Sequence, residues 1–288
     1  MQRIHFYKMT GTGNDFIVID NRKRIIDADN CHDFVRGVCR RGVSVGADGV
    51  ILIEDDPEVD FRCRFFNADG SEPEMCGNGA RCVTRLAYLT GIVDMPRMSF
   101  RTGAGIIAAE LLDTKVKVQM PMPVDIRRNL EIDVKGRSFA LDFINTGVPH
   151  AVCFLKDEKE LENINIARLG RALRVHESFN PDGTNVDFVF VKNPHRLSIR
   201  TYERGVEGET LACGTGAIAS VLFAAIRGEV ESPVEVCVRS GETLNVYFKT
   251  TGRNIPFDDV CLEGSALVVY EADLWHEAGH PINIARTN

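Results

Sequence analysis

Two cysteines occupy matching positions in a duplicated motif of this sequence. Cys76 lies in Glu-Pro-Glu-Met-Cys-Gly-Asn-Gly-Ala, and Cys213 lies in Glu-Thr-Leu-Ala-Cys-Gly-Thr-Gly-Ala, 137 positions later. Each motif opens a stretch with apolar residues at helical spacing. A cysteine just before a helix lies beside unpaired N–H groups and the positive end of the dipole, which lower the pKa of the thiol. The pattern therefore predicts two reactive thiols, each at the start of a helix.

Two such thiols can invert a carbon that carries a hydrogen. If related halves of the chain bring both helix starts to one cleft, a bound carboxylate receives N–H bonds from both sides, with one sulfur on each face of its α-carbon. One thiolate then removes the α-proton while the opposite thiol delivers another. The helix ends stabilise the growing carboxylate charge most in the transition state. This scheme needs no metal and no pyridoxal phosphate, so we expect no cofactor.

The elements around the two cysteines repeat as well. Both predicted helices stop at a glycine, Gly91 or Gly228, again 137 apart. Upstream, Gly46-Ala-Asp48 and Gly183-Thr-Asn185 each lead into an apolar run typical of a strand, at the same offset. A weaker match joins Thr12–Asp15 to Thr146–Pro149 at an offset of 134. A duplicated scaffold that merely kept its turn glycines would not explain the paired cysteines.

The rest of the chain consists mostly of short alternating or β-rich runs, such as 59–66, 105–111, 115–120, 197–202 and 244–248, with few convincing helices. This predicts an α+β fold of two pseudo-symmetric lobes. Met120-Pro-Met-Pro123 resists helix and sheet interior and marks a boundary. We expect an N-terminal lobe over 1–123 with Cys76, a C-terminal lobe over 124–272 with Cys213, and a tail over 273–288.

The composition and charge of the chain limit the kinds of molecule that it is expected to bind. The 288 residues are 44% hydrophobic and 26% charged, with a formal charge of −7 and no basic runs, so nucleic acid and anionic lipid are not expected. The N-terminus lacks a signal-peptide core, and no run of 18 apolar residues occurs, which predicts a cytoplasmic protein. Nine cysteines without a C-x-x-C pair indicate free thiols. A small molecule is the expected partner.

Four groups of residues together resemble the diaminopimelate epimerase family, over roughly residues 4 to 271. These groups are Gly11-Thr-Gly-Asn-Asp-Phe16, Asn67–Glu72 with Met75–Cys82, Thr146-Gly147 with Pro149-His150, and Glu203-Arg204-Gly205 with Ala212–Gly216. The resemblance implies two lobes of that family's type, each a β-sheet or barrel around a central helix. It implies epimerisation of LL- to meso-diaminopimelate, an amino-acid substrate and precursor for lysine and peptidoglycan, and it allows a homodimer.

The resemblance also implies roles for individual residues. Cys76 and Cys213 correspond to the acid/base thiols, and His150 and Glu203 to the groups that orient or activate them. The remaining positions correspond to substrate contacts: Gly77, Asn78, Gly214 and Thr215 at the reacting carboxylate and amine, and Asn14, Asn67, Asn185 and Arg204 along the rest of the molecule. The guanidinium of Arg204 suits a distal carboxylate because of its fork geometry.

One departure bears on the substrate. Many members of the family read Gly-Asn-Pro-His where this chain reads Gly147-Val148-Pro149-His150. The side-chain amide of the usual asparagine, which Val148 lacks, corresponds to a contact with the distal end of the substrate. A neighbouring residue such as Asn145 can supply that contact instead. A racemase or epimerase of another amino acid is therefore an alternative, and a module that uses Cys76 and Cys213 for redox or metal binding is an alternative of another class.

Several residues also have plain structural interpretations. His150 could be a core histidine, Glu203-Arg204 a solvated charge pair, and Asn14, Asn67 and Asn185 turn residues. Cys82 fits core packing, and the six cysteines without a counterpart in the repeat are expected to be structural: Cys31, Cys39, Cys63, Cys153, Cys237 and Cys261. His276-Glu-Ala-Gly-His280 matches H-E-x-x-H, but Gly279 and Pro281 oppose the helix that a zinc site needs, so no metal is expected.

Overall fold

The structure is a computed structural model that describes residues 3–27, 30–252 and 257–275. The chain divides into two compact units. Unit 1 comprises Met1–Val118 together with Ser265–Asn288, and unit 2 comprises Gln119–Gly264. Strands and helices are assigned below to the unit that holds most of their residues.

Unit 1 contains eight strands and two helices among its described residues. The strands are β1 (Arg3–Gly11), β2 (Asn14–Asp20), β3 (Gly49–Glu54), β4 (Phe61–Asn67), β5 (Arg97–Thr102), β6 (Gly105–Leu112), β7 (Lys115–Gln119) and, from the far end of the chain, β17 (Leu267–Trp275). The helices are α1 (Cys31–Val38) and α2 (Gly77–Leu89).

Unit 2 contains nine strands and three α-helices in the part of the chain that the structure describes. The strands are β8 (Val124–Val134), β9 (Arg137–Asn145), β10 (Pro149–Phe154), β11 (Asn185–Asn193), β12 (Arg196–Glu203), β13 (Gly208–Glu209), β14 (Val234–Cys237), β15 (Thr243–Thr250) and β16 (Phe257–Ser265). The helices are α3 (Glu158–Asn163), α4 (Ile166–Arg174) and α5 (Gly214–Ile226). A short 3-10 turn at Glu177–Phe179 lies after α4.

The two units share one strand order. In unit 1 the neighbours run β17, β1, β2, β3, β4, β5, β6, β7. In unit 2 they run β8, β9, β10, β11, β12, β14, β15, β16, with the short β13 also on β12. The sense of pairing matches at every step, with the third and fifth pairs parallel and the others antiparallel. Each unit is thus a mixed sheet of the same topology, which confirms the predicted pseudo-symmetric α+β fold.

Each sheet packs around one helix. The strands β1, β2, β3, β4, β6 and β17 contact α2, while β9, β10, β11, β12, β14 and β15 contact α5. The segment of α5 from Gly216 to Ala224 is buried throughout. Burial of each large apolar side chain contributes about 1.5–3 kcal/mol, so this helix is held as the centre of its unit by apolar packing.

The ends of the two central helices match in detail. Cys76 precedes α2 with φ −135° and ψ 115°, and Cys213 precedes α5 with φ −132° and ψ 110°. Both helices have 13 residues. Gly91 and Gly228 follow them with positive φ angles of 68° and 74°, the left-handed geometry that favours glycine. The helix starts and stops predicted from the repeat are therefore confirmed.

The predicted domain limits need one correction. The predicted C-terminal lobe extended to residue 272, but β17 pairs with β1 and belongs to unit 1. Sequence patterns show that Leu267–Trp275 is a strand but not which strand it joins, because pairing between distant segments leaves no local signal. The first change of unit, after Val118, lies close to the predicted Met120–Pro123 boundary.

The short helices α1, α3 and α4 were not predicted. Their lengths are 8, 6 and 9 residues, and α1 and α4 each contain a glycine, which weakens the periodic signal. Gly170 in α4 is required by packing, since a β-carbon there would collide with the ring of Tyr202. Among the described residues, no helix combines the length and apolar character needed to cross a membrane.

Candidate active site

In unit 1 the candidate site is built at the N-terminus of α2. The sulfur of Cys76 accepts a hydrogen bond from the Gly79 N–H at 3.4 Å, so the cysteine side chain caps its own helix. Cys76 is half-buried. Gly77 is the first residue of α2, and its carbonyl accepts from the guanidinium of Arg81 at 3.4 Å. The thiol therefore lies where the orphan N–H groups of the helix favour negative charge.

A directed chain of side-chain amides runs beside Cys76. Arg81 Nη2 donates to Asn78 Oδ1 at 2.8 Å, Asn78 Nδ2 donates to Asn14 Oδ1 at 2.6 Å, and Asn14 Nδ2 donates to Asp48 Oδ2 at 3.1 Å. Arg81 is 0% exposed and also donates to the Thr12 hydroxyl. Because each oxygen in the chain accepts from the preceding donor, the orientation of both amides is fixed. Two predicted substrate contacts, Asn14 and Asn78, are thus brought together.

The chain of hydrogen bonds ends at Asp48, which belongs to a group of ion pairs. Arg41 forms ion pairs with Asp15 and Asp48, and Lys8 Nζ lies 2.6 Å from Asp15 Oδ2. The hydrogen bonds from Arg41 and Lys8 hold the pKa of Asp15 below its usual value despite its partial burial. Asn67 is not part of this cluster. It is exposed at the end of β4, where its side chain donates to the Ser71 hydroxyl at 2.9 Å.

In unit 2 the candidate site is built at the N-terminus of α5. Cys213 is buried, and its sulfur lies 3.4 Å from the hydroxyl of Thr215. Gly214 is the first residue of the helix. The main-chain carbonyl of Thr215 accepts from the Thr146 hydroxyl at 3.0 Å, which ties the first turn of α5 to the segment between β9 and β10.

His150 links the start of α5 to a buried carboxylate. Its Nε2 lies 2.9 Å from the Thr215 hydroxyl, and its Nδ1 lies 2.7 Å from Asp187 Oδ2. The side chains of His150 and Asp187 are both 0% exposed. The second carboxylate oxygen of Asp187 accepts from the Thr201 hydroxyl at 2.7 Å. His150 is therefore buried, as a core histidine would be, but both ring nitrogens have polar partners, and the partner of Nε2, Thr215, also contacts the Cys213 sulfur.

Asn185 and Arg204 join this cluster through one amide. The Arg204 N–H donates to Asn185 Oδ1 at 2.8 Å, and Asn185 Nδ2 lies 3.4 Å from His150 Nε2. The parallel pairing of β10 with β11 sets His150 opposite Asn185. Among the residues that the structure describes, the guanidinium of Arg204 donates to the carbonyl of Asp182 alone, at 3.4 Å.

The pKa of the Cys213 thiol is raised, whereas the sequence predicts a lowered pKa for a cysteine at a helix start. Burial raises the pKa of the Cys213 thiol well above 9.0, the charges of Glu203 and Asp187 raise it further, and the Thr215 hydroxyl and Gly216 N–H only partly oppose the shift. The pKa of Glu203 is also raised, by burial, while the Thr210 hydroxyl and the Cys213 thiol act in the opposite direction. A helix N-terminus thus does not by itself lower the pKa of a thiol that is buried beside two carboxyl groups.

The turn with the unusual valine lies beside this cluster. Val148 is 36% exposed between β9 and β10, after Gly147 with φ 111°. The side-chain oxygen of Asn145 accepts from the Gly147 N–H at 3.0 Å, so Asn145 already stabilises the turn.

Sequence reasoning missed two residues that organise the clusters, Arg81 and Asp187. Asp187 is an acid within the apolar strand Asn185–Asn193, two positions after Asn185 and therefore on the same face of that strand. That spacing is a signal that could have found it. Arg81 lies four residues after Gly77, on the same face of the helix. A long charged side chain in an amphipathic helix is usually expected to be exposed to solvent, so its sequence gives no sign of burial.

The other cysteines occupy ordinary surroundings. All nine lie in the described ranges, and none of them forms a disulfide. Cys82 and five of the six others are buried, and Cys237 is half-buried. Burial raises the pKa of the Cys39, Cys82 and Cys153 thiols to about 12. The H-E-x-x-H segment at 276–280 lies outside the described residues.

The fold of two matched units is shared with solved structures of other proteins, one of which is an epimerase. A hydroxyproline epimerase from Agrobacterium vitis has a TM-score of 0.70 and 17% identity, over 96% of this chain and 94% of that one. A phenazine biosynthesis protein of the PhzF family from Bacillus anthracis has a TM-score of 0.75 and 14% identity, over 96% and 100%. At these identities the likeness establishes the fold alone.

Sequence similarity is more specific. The family model described as diaminopimelate epimerase matches residues 6–124 and 143–258. Proteins named diaminopimelate epimerase from Aquifex aeolicus and from a Hydrogenobaculum species are each 45% identical to this chain, covering 95% and 94% of it and 99% and 98% of the relatives. The chain therefore belongs to the diaminopimelate epimerase family, and is an isomerase.

Proposed function

We propose that this enzyme interconverts LL- and meso-diaminopimelate, with Cys76 and Cys213 as two acid/base thiols and without a cofactor. One observation carries the proposal: the two cysteines, 137 positions apart, cap central helices of equal length with nearly the same φ and ψ angles. A duplicated fold that kept only its turn glycines would not explain a cysteine at both positions. The names of the relatives supply the substrate, whose meso form is a precursor for lysine and peptidoglycan.

The protonation of the cysteines assigns their roles in the state described. Burial and two neighbouring carboxyl groups keep Cys213 in the thiol form. Cys213 is then the proton donor, and Cys76, whose sulfur already accepts a backbone N–H, is the base. As the α-proton leaves, negative charge moves onto the substrate carboxylate. N–H groups at a helix start stabilise that charge, and the reverse reaction exchanges the two roles.

The predicted binding residues divide by position. Gly77 and Asn78 at the start of α2, and Gly214 and Thr215 at the start of α5, are proposed to hold the reacting carboxylate and amine. Glu203 and His150 are proposed to act on the thiol of Cys213. The remaining residues proposed to bind substrate are Asn14, Asn67, Asn185 and Arg204.

Arg204 is the residue proposed to bind the distal carboxylate. Its guanidinium makes a long contact to the main-chain carbonyl of Asp182, so a bound carboxylate can replace that contact with two charge-assisted bonds. An exposed Val148 in place of an amide favours one alternative, an epimerase of an amino acid that lacks the distal carboxylate. A panel of substrates decides between them: preference for a monocarboxylic amino acid would overturn the proposed substrate.

The reaction is tested with fully reduced enzyme in deuterium oxide. LL-diaminopimelate should exchange its α-hydrogen for deuterium and invert to the meso form without added cofactor. Absence of both exchange and inversion would contradict the proposed function. Bound zinc, or a Cys76–Cys213 disulfide that persists in strong reductant, would instead favour a metal-binding or redox module.

The two-thiol mechanism is tested by substitution. Cys76→Ala and Cys213→Ala should each lower the rate of inversion by at least about 10³-fold, because each removes one of the two proton-transfer groups. Cys237→Ala is the matched control, since Cys237 is a half-buried cysteine on β14 and not at a helix start. Turnover near the wild-type rate in either of the first two variants would exclude the mechanism.

The proposal extends to the location and the assembly of the enzyme. We place the enzyme in the cytoplasm, where reducing conditions suit nine cysteines without a disulfide. The family resemblance supports a homodimer, which size-exclusion chromatography with light scattering would test.

A further inference from the structure

A buried acid lies behind the predicted catalytic histidine. Asp187 is flanked by apolar residues on strand β11, and its side chain is 0% exposed. An isolated buried carboxylate is costly unless its oxygens are hydrogen-bonded. Here each oxygen has one partner, Oδ1 the Thr201 hydroxyl and Oδ2 the ring Nδ1 of His150. Neither Asp187 nor Thr201 is among the predicted catalytic or binding residues, so the presence of this acid beside His150 requires its own explanation.

The surroundings of His150 define which ring nitrogen carries the proton. The N–H of Arg204 donates to Asn185 Oδ1, so the NH₂ group of Asn185 faces His150 Nε2. A donor facing Nε2 requires that Nε2 be an acceptor. The single ring proton of a neutral His150 is then on Nδ1, where it is donated to Asp187.

Resting on the proposed function, we infer that Asp187 is a positioning residue: it holds His150 in the Nδ1–H form, so that Nε2 accepts a proton relayed from Cys213 through the Thr215 hydroxyl. The distances along this path are 3.4 Å from Cys213 Sγ to Thr215 Oγ1 and 2.9 Å from Thr215 Oγ1 to His150 Nε2. Asp187 touches no reacting atom and acts only through His150.

The relay serves the reverse direction, in which Cys213 is the base, and it balances in protons and charge. The Cys213 S–H proton passes to Thr215 Oγ1 as the Thr215 hydroxyl proton passes to His150 Nε2. The products are a thiolate and an imidazolium, and the imidazolium keeps its Nδ1–H bond to the Asp187 carboxylate. Asp187 stays ionised throughout and stabilises the imidazolium, as a buried carboxylate does behind a catalytic histidine. Glu203 is the other acid beside Cys213, and it acts on the sulfur directly.

The relay is confined to unit 2. The strand pairing that sets His150 opposite Asn185 sets Asp15 next to Asp48 in unit 1, so His150 corresponds to Asp15, at an offset of 135 rather than the predicted 134. Asp187 corresponds to Val50, at the usual offset of 137. The buried cation Arg81 corresponds in turn to Ile218 of α5. The two halves therefore place opposite buried charges behind their thiols.

The first test measures the tautomer of His150 and needs no substrate. In ¹⁵N-labelled wild-type enzyme, with His150→Gln used for assignment, Nδ1 should give the signal of a protonated nitrogen and Nε2 that of an unprotonated one. In Asp187→Asn the tautomer should reverse. Thr201 continues to donate to the retained oxygen, so the new NH₂ group faces Nδ1. Its contact with Nδ1, at 2.7 Å in the wild type, outweighs the longer 3.4 Å contact of the Asn185 NH₂ group with Nε2, so the ring proton moves to Nε2.

The second test is kinetic. Asp187→Asn should lower kcat by about 10²-fold and leave KM within about threefold, because general acid/base contributions have this size and Asp187 does not contact substrate. Thr201→Val is the matched control: it removes the other hydrogen bond of Asp187 but leaves the Nδ1 contact, so tautomer and kcat should stay near wild type. Thr215→Val should lose activity, and Thr215→Ser should retain it.

A pair of variants tests whether the residues form one path. Thr215→Val combined with Asp187→Asn should be no slower than the worse single variant, because either change interrupts the same relay. Fully multiplicative losses would overturn the relay. A wild-type His150 protonated on Nε2, or an unchanged tautomer in Asp187→Asn, would overturn the positioning role even if the enzyme epimerises diaminopimelate. A wild-type enzyme without turnover would instead count against the proposed function, while the tautomer result stands.

Discussion

Gly216 packs directly against Asp187, because a β-carbon at position 216 would collide with the carboxylate of Asp187. The second glycine of the Cys-Gly-x-Gly motif in unit 2 is thus required by a buried acid and not by backbone conformation. The same contact fixes how close β11 comes to the start of α5.

Gly216→Ala is expected to destabilise the protein by about 1–3 kcal/mol, the usual cost of overpacking, and to displace Asp187 from His150. Urea unfolding measures the first effect and the His150 tautomer the second. Gly208→Ala is the control, since a β-carbon there meets nothing within 4 Å. Equal loss in both variants would mean that the two sites are equally tight, contrary to the structure.

Glu203 should control the reactivity of Cys213. Its charge helps to raise the pKa of the buried thiol, so Glu203→Gln should lower that pKa and speed the alkylation of Cys213 by iodoacetamide at fixed pH. Peptide mass spectrometry reads each cysteine separately, and Cys237 serves as the internal control. Slower or unchanged alkylation of Cys213 in the variant would contradict the assigned cause of the shift.

Glu203 should also make stability depend on pH. Burial raises its pKa above the ordinary value of 4.5, so the folded protein binds this proton more tightly than the unfolded chain does. The ionised carboxylate therefore costs stability at a pH above the raised value, and the cost disappears below about 4.5. Glu203→Gln removes the ionisation but keeps an oxygen that can accept from Thr210.

The free energy of unfolding of Glu203→Gln, relative to wild type, should consequently be larger at about pH 8 than at about pH 4. Urea titrations across this range measure the difference. Glu162→Gln, at an exposed glutamate of α3, is the matched control and should show little change with pH. A difference for Glu203→Gln that grows as the pH falls would show that its pKa is lowered and not raised.

Arg81 should be the most sensitive arginine of unit 1. Arg81→Met removes a fully buried donor from Asn78 and Thr12 and leaves their oxygens unsatisfied, so we expect a loss of about 3 kcal/mol or more. Arg97→Met is the control. Arg97 is 80% exposed in its pair with Glu110, and such a pair contributes about 1 kcal/mol at most. Equal midpoints of urea unfolding for the two variants would contradict the importance assigned to the buried Arg81.

The repeat made the central features of the fold predictable. Cys76, Cys213, Gly91 and Gly228 carry local signals, a helix start and a left-handed stop, that depend on a few neighbouring residues. The strands Gly49–Glu54 and Asn185–Asn193 lie where the sequence predicts strands, because continuous apolar runs are also local signals.

The features that escaped prediction depend on contacts between distant segments. The partner of β17, the burial of Arg81 and the bond from Asp187 to His150 each join residues that are far apart in the chain. The pKa of Cys213 escaped for a related reason. A helix start is visible in the sequence, but the burial and the two carboxyl groups that oppose its effect are set by tertiary packing.

The place of β17 has a consequence for synthesis on the ribosome. The sheet of unit 1 begins at residue 3, yet its first strand in spatial order is Leu267–Trp275. The sheet of unit 1 must therefore wait, with β1 as an open edge, until residues 267–275 have been translated. Unit 2 contains all of its own strands in one uninterrupted stretch and can finish first.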